Sequence, residues 1–226
     1  MKNTYKINNY DNHLIIEDNG NTLLIDTGSP FSILDKSLDF CGQRFEPGWI
    51  HFNAMDVSDL VGTHIDALVG YNILKHFNLL VDYSEGTITI SDESLELPGA
   101  ATIPFTAGFG VPRITVNLLG ETKSCFLDSG AKISYIHSQT TRELTPEGSD
   151  SDFYLGFGHF DTPIFPVVTS FGSQSVTVRY GNLPPVLEVS LLTLLDADGI
   201  IGFDFFNNFM VLIDYKNNML SFKKRP

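Results

Sequence analysis

The chain has 226 residues, 42% hydrophobic and 18% charged, which is enough apolar material for a substantial core and too much for a disordered segment. Asp and Glu number 27 against 14 Lys and Arg, and the formal net charge of -13 repels phosphate backbones and anionic headgroups, so nucleic acid and membrane surfaces are not expected partners. No apolar run reaches the roughly 18 residues of a membrane helix, and the opening MKNTYKINNYDNH lacks a signal-peptide core, so a cytoplasmic location is expected unless a leader has been removed.

Short alternating apolar segments closed by Gly, Asn, Asp and Pro, with 18 Phe, 8 Tyr and 19 Gly, predict an all-β protein with few helices. In chain order, strands are predicted at 22–25, 79–83, 87–90, 113–118, 124–127, 175–180 and 210–214. Short helices are predicted at 71–77, 139–144 and 204–209. Cys41 and Cys125 have neither disulfide-framework nor zinc-type spacing and are expected to be reduced and structural.

An internal repeat organises these elements. Residues 70–83, GYNILKHFNLLVDY, align without a gap on residues 202–215, GFDFFNNFMVLIDY, at an offset of 132. Each copy follows an apolar stretch ending in Gly, ALVG at 67–70 and GIIG at 199–202, and each is followed by a hairpin. Upstream, LLIDTGSPFSIL at 23–34 sits over CFLDSGAKISYI at 125–136 at an offset of 102. Two homologous lobes, residues 1–97 and 98–226, joined where Pro98, Gly99 and Pro104 break the pattern, account for both matches.

With its two apolar-apolar-Asp-[Thr/Ser]-Gly motifs, Asp26-Thr27-Gly28-Ser29 and Asp128-Ser129-Gly130-Ala131, each followed by an apolar-apolar-Gly element and a short helix, the chain resembles the pepsin and retropepsin superfamily of aspartic peptidases. The resemblance implies two retropepsin-like β-barrel or sandwich lobes related by a pseudo-twofold axis, fused in one chain and acting as a monomer. It implies that Asp26 and Asp128 meet as a catalytic dyad, since carboxylates about 3 Å apart cannot both ionise and must share a proton. One would take a proton from water while the other polarises the scissile carbonyl of a peptide or protein substrate, without cofactor or metal. Thr27 and Ser129 would donate across the interface to hold the two loops in register. Gly28 and Gly130 would allow a tight turn close to the substrate. Ser29 would donate to Asp26, whereas Ala131 cannot donate to Asp128, which would leave most of the charge on Asp26 and most of the shared proton on Asp128.

From Asp26 to Gly70 is 44 positions and from Asp128 to Gly202 is 74. The 30 additional residues are expected in 153–180, read as long hairpin strands forming the only full flap, with Phe153, Tyr154, Phe157 and Phe160 lining hydrophobic subsites and Trp49 on a short counter-loop. An ordinary inward-packed sandwich would use the same aromatics. The six histidines show no HxxxH or HExxH spacing, and no Gly-x-Ser-x-Gly elbow exists. Asp196 to Gly199 reads as a turn, Asn72 and Asp204 as helix N-caps, and Lys223 to Arg225 as a solvated tail. Two functions follow: an endopeptidase cutting extended, mainly hydrophobic segments, or a module that holds a peptide or protein partner in the same cleft without cutting it.

Overall fold

In Val111–Leu118 the side chains of Ile114, Val116 and Leu118 are buried while Thr115 and Asn117 face outward, the period-two pattern of a strand with one wet face. It turns into Glu121–Leu127 through Leu119 and Gly120, both at positive φ (52° and 80°), the paired left-handed conformation of a tight two-residue hairpin. The same device joins His13–Asp18 to Asn21–Ile25, with Asn19 and Gly20 at φ 49° and 75°. Each hairpin delivers a strand that ends one residue before Asp26 or Asp128.

The computed structural model describes residues 1–225 and is mostly β, with three larger sheets and two isolated hairpins. Asn8–Tyr10, His13–Asp18, Asn21–Ile25, Ala67–Val69 and Ile33–Leu34 form a five-stranded sheet in that order. A seven-stranded sheet runs Thr106–Gly108, Val111–Leu118, Glu121–Leu127, Gly199–Ile201, Ser134–Ile136, Gln174–Gly181 and Phe165–Phe171. Its last strand pairs back on Val111–Leu118, with Asn117 opposite Ser170, so six of the seven strands close into a barrel.

The third sheet draws three strands from residues 1–97 and three from 98–226, in the order Lys2–Lys6, Thr87–Ser91, Asn78–Asp82, Phe209–Asp214, Met219–Lys224, Ala101–Pro104. Its central antiparallel pair sets Val81 opposite Val211, Leu80 opposite Leu212 and Leu79 opposite Ile213. The largest core cluster lies against this sheet and includes residues of both halves, among them Ile25, Leu79, Leu127, Ile201 and Phe209. Phe171, Phe205, Phe209 and Phe222 mesh at its second-half end, with Phe171 and Phe205 centroids 4.6 Å apart.

The predicted strands lie where expected to within two or three residues at each end, and the helices are shorter or shifted by a residue: Tyr71–Leu74, Ser138–Thr141 and Phe203–Asn208. No sequence reading anticipated the helix Ala54–Val61, although its capping box is local: Asn53 accepts from the Met55 and Asp56 amides while Asp56 accepts from the Asn53 amide. Three expectations are corrected. Asn72 and Asp204 are not caps, because Gly70 and Gly202 hold those positions; Asn72 accepts from the Ser32 amide and hydroxyl, and Asp204 from the Arg179 amide. Lys223 and Lys224 belong to the strand Met219–Lys224, and the Arg225 guanidinium donates to the Phe206 carbonyl, so the basic end is no free tail. Residues 153–180 are not one hairpin: Ser149–Tyr154 and Gly158–Pro163 form an isolated pair, while Phe165–Phe171 and Gln174–Gly181 are barrel strands. Among the described residues, no helix is long and apolar enough to cross a membrane.

Candidate active site

Each motif aspartate is positioned by a parallel strand pair. Ile25 lies opposite Val69, and the Asp26 amide donates to the Val69 carbonyl at 3.0 Å. Leu127 lies opposite Ile201, and the Asp128 amide donates to the Ile201 carbonyl at 2.9 Å. The loops after the aspartates are tied down in matching fashion. The Gly70 amide donates to Ser32 Oγ and the Gly202 amide to Ser134 Oγ, both at 2.9 Å, while the Tyr71 and Phe203 amides donate to the carbonyls of Ser29 and Ala131. Glycine is required at 70 and 202 because a Cβ would lie 2.6 Å from the Phe31 carbonyl oxygen in one case and 2.5 Å from that of Ala131 in the other.

Thr27 and Ser129, both buried, cross between the loops. Thr27 Oγ1 donates to the Leu127 carbonyl at 2.9 Å and accepts from the Ser129 amide at 2.9 Å. Ser129 Oγ donates to the Ile25 carbonyl at 2.8 Å and accepts from the Thr27 amide at 3.1 Å. Four backbone groups that neither loop could satisfy alone are thereby paired, which fixes the separation of the two aspartates.

Asp26 Oδ1 accepts from the Gly28 and Ser29 amides, both at 2.9 Å, and Asp128 Oδ1 accepts from those of Gly130 and Ala131 at 2.7 and 3.1 Å. Each glycine faces the other loop's carboxylate, so that a Cβ on Gly130 would lie 2.6 Å from Asp26 Cγ and one on Gly28 would collide with the Asp128 carboxylate. The two carboxyl groups lie close enough for each to shift the other's ionisation. Burial holds Asp128 well above the usual carboxylate range, and the neighbouring Asp26 charge adds to it. Burial raises Asp26 as well, opposed by the neighbouring Asp128 and by the Gly28 and Ser29 amides. The pair therefore titrates as a unit, with Asp128 raised further than Asp26.

Ser29 does not contribute to this asymmetry as expected. Its hydroxyl donates to the Phe31 carbonyl at 2.7 Å, and only its amide reaches Asp26, as the amide of Ala131 reaches Asp128. One further difference between the two surroundings is Asp152, whose charge adds, after burial and the Asp26 charge, to the raising of Asp128.

The dyad lies on a cleft of about 260 Å³. On one side Leu24, Ile33, Ile50, Phe52, Val57 and Leu68 form an apolar wall from the first half. On the other, Tyr135, Phe160, Leu183, Leu191 and Ile200 come from the second. The 149–163 hairpin lies over both: Phe153 stacks on His13 at 5.3 Å and 16°, and a Cβ on Gly156 would come within 3.0 Å of Phe52. Of the aromatics expected here, Phe153, Tyr154 and Phe160 line the cleft. Phe157, at the hairpin tip, is 43% exposed and meets Phe160 edge to face without lining it. Trp49 is 99% exposed and does not line the cleft, which Ile50 and Phe52 reach from the same segment. Sequence reading also missed Tyr135 and Asp152. Tyr135 was findable as the position that aligns with Ile33, whereas nothing local marks Asp152.

Comparison of the chain with protein-family models and with curated proteins gave no match.

Proposed function

We propose that the chain is an aspartic endopeptidase built from two retropepsin-like lobes, residues 1–97 and 98–226, with Asp26 and Asp128 as its catalytic dyad. The observation that carries this reading is the pair of neighbouring carboxyl groups lining one cleft, each cradled by two amides of its own loop and clamped by the crossed Thr27 and Ser129 hydroxyls. Duplication of one lobe is supported by the Leu80–Leu212 register, since these residues are also equivalent at the 132-residue offset.

In this mechanism the Asp26 carboxylate takes a proton from a water molecule as its oxygen attacks the carbonyl carbon of the scissile bond, and Asp128 gives its proton to the carbonyl oxygen. The resulting gem-diol collapses when Asp26 returns the proton to the departing nitrogen, the C–N bond breaks, and a diol hydroxyl restores the proton of Asp128. No covalent intermediate forms. The substrate lies extended between the 149–163 hairpin, acting as the flap, and the dyad, with apolar side chains on the two walls. Both aspartates are on one polypeptide, so a monomer suffices, and activity per chain should be independent of dilution.

Digestion of a peptide library by the unmodified chain, Asp26→Asn and Asp128→Asn tests the reading. Cleavage by the unmodified chain alone supports it. Binding of a statine-type mimic without cleavage by any of the three would assign the cleft to a non-cutting module.

A further inference from the structure

Outside the dyad the cleft holds one more carboxylate. Asp152, on the hairpin strand Ser149–Tyr154, is 5% exposed and lines the cleft with Tyr135, Phe160, Leu183, Leu191 and Ile200. Oδ2 accepts from the Tyr135 hydroxyl at 2.6 Å and Oδ1 from the Phe153 amide at 2.8 Å. A carboxylate can accept about four hydrogen bonds, so two sites remain.

The neighbouring cations are engaged elsewhere. Lys132 Nζ pairs with Asp11 at 3.0 Å and Asp150 at 3.2 Å, and Arg179 with Asp150 at 3.7 Å and Asp204 at 3.4 Å. Among the described residues no ammonium or guanidinium forms an ion pair with Asp152. Burial raises its carboxyl above the ordinary range, opposed only in part by the Tyr135 hydroxyl, the Phe153 amide and the charges of His13 and Lys132, so a cation brought by a ligand would stabilise the charged form.

Resting on the peptidase reading above, we propose that Asp152 is the specificity-determining residue of the second-half subsite, which takes a basic substrate side chain, lysine or arginine. Phe160, Leu183, Leu191 and Ile200 cover the aliphatic stem, Asp152 accepts from the cationic head, and the Tyr135 hydroxyl holds the carboxylate in place. The first-half wall has no counterpart: Ile33 stands where Tyr135 does, and that side remains apolar. The enzyme therefore pairs a basic residue on one side of the scissile bond with an apolar residue on the other, and the net charge of -13 favours approach of such substrates.

The test uses peptides matched except at one position flanking the scissile bond, carrying lysine, norleucine or glutamate, with each flanking position scanned in turn. It adds statine-type peptides carrying lysine or norleucine, whose binding is measured by calorimetry. At one position only, kcat/KM should follow lysine, norleucine, glutamate, with lysine ahead of norleucine by about 10-fold or more, as expected of a charge-assisted hydrogen bond. Asp152→Asn should bring the lysine to norleucine ratio close to one, and Tyr135→Phe should reduce it. Norleucine equal to or ahead of lysine at both positions, with cleavage observed, overturns the inference and leaves the peptidase reading standing. A lysine preference in calorimetry without cleavage of any peptide keeps the subsite and removes the peptidase reading. No lysine preference in either arm overturns the subsite without any variant having to fold.

Discussion

The two halves that meet at the dyad are alike in backbone and unlike in what they present to the cleft. Around Asp26 and Asp128 the same amides bond the carboxylates, the same serine hydroxyls receive Gly70 and Gly202, and the crossed hydroxyls are interchangeable in role. Toward the cleft, the first half offers Ile33 and the helix Ala54–Val61 with Val57, whereas the second offers Tyr135 and a hairpin bearing Asp152. Groups that fix two carboxylates against one another admit few alternatives, because each satisfies a buried backbone partner. Groups that face the cleft have no such obligation, and there the halves differ, one wall being apolar and the other carrying a single carboxylate.

The largest expected effect breaks the pair itself. Asp26→Asn and Asp128→Asn should each reduce kcat/KM by roughly 10³-fold or more, since neither acid nor base alone completes the reaction. The fold should survive both, as circular dichroism would show. Stability at Asp128 should move the opposite way from activity. Its folded pKa is raised above the unfolded value, so its favourable contribution is complete below the unfolded pKa and is lost as pH rises through the folded one. Asp128→Asn should therefore raise Tm at neutral pH, by about 1 kcal/mol in stability, with the gain vanishing in acid.

The crossed hydroxyls test how alike the halves are. Thr27→Val and Ser129→Ala each leave a buried amide and a buried carbonyl without a partner, and each should cost about 2–4 kcal/mol in denaturant unfolding. Unequal losses would mean that one loop carries the other.

The hairpin tests how they differ. Phe153→Ala removes the stack on His13 and should lower turnover by about 10-fold while costing less stability than a fully buried core phenylalanine such as Phe205, for which about 3–5 kcal/mol is expected. Equal losses of turnover and stability would make the hairpin a structural element. Asp152→Asn removes a negative charge acting on Asp128, so the upper apparent pKa of the dyad should fall and the alkaline limb of activity should move to lower pH.

The smallest effect is expected at Ser29→Ala. The variant loses a bond to the Phe31 carbonyl, worth about 1 kcal/mol, and leaves the acidic limb where it was because the hydroxyl does not touch Asp26. A shifted limb would return the asymmetry to Ser29.

What could be read in the sequence was local or repeated. The two Asp-x-Gly loops, the apolar-apolar-Gly strands and the short helices after Gly70 and Gly202 each depend on neighbours in the chain, and repetition at offsets of 102 and 132 made weak signals mutually supporting. Register across the central sheet, where Leu80 meets Leu212, depends on pairing between the halves and has no local signature. Asp152 was illegible for the same reason, since the polar run Ser149 to Asp152 carries no local signature and only the fold brings it against Tyr135. Phe153, Tyr154 and Phe160 were located as cleft residues, but the hairpin was drawn too far along the chain because Phe165–Phe171 and Gln174–Gly181 share its alternation and differ only in what they pair with. Ser29 was misjudged because a hydroxyl two residues from a carbonyl has a closer partner than the carboxylate.

The central claim is that Asp26 and Asp128 act as one acid–base pair, and the pH profile of kcat/KM tests it most directly. Measured on one peptide substrate with the unmodified chain and both Asn variants, the account predicts a bell-shaped profile with two apparent pKa values belonging to the pair, abolished in Asp26→Asn and in Asp128→Asn alike. Turnover within about 10-fold of the unmodified chain in either Asn variant, or a profile limited by a single ionisation, would contradict it.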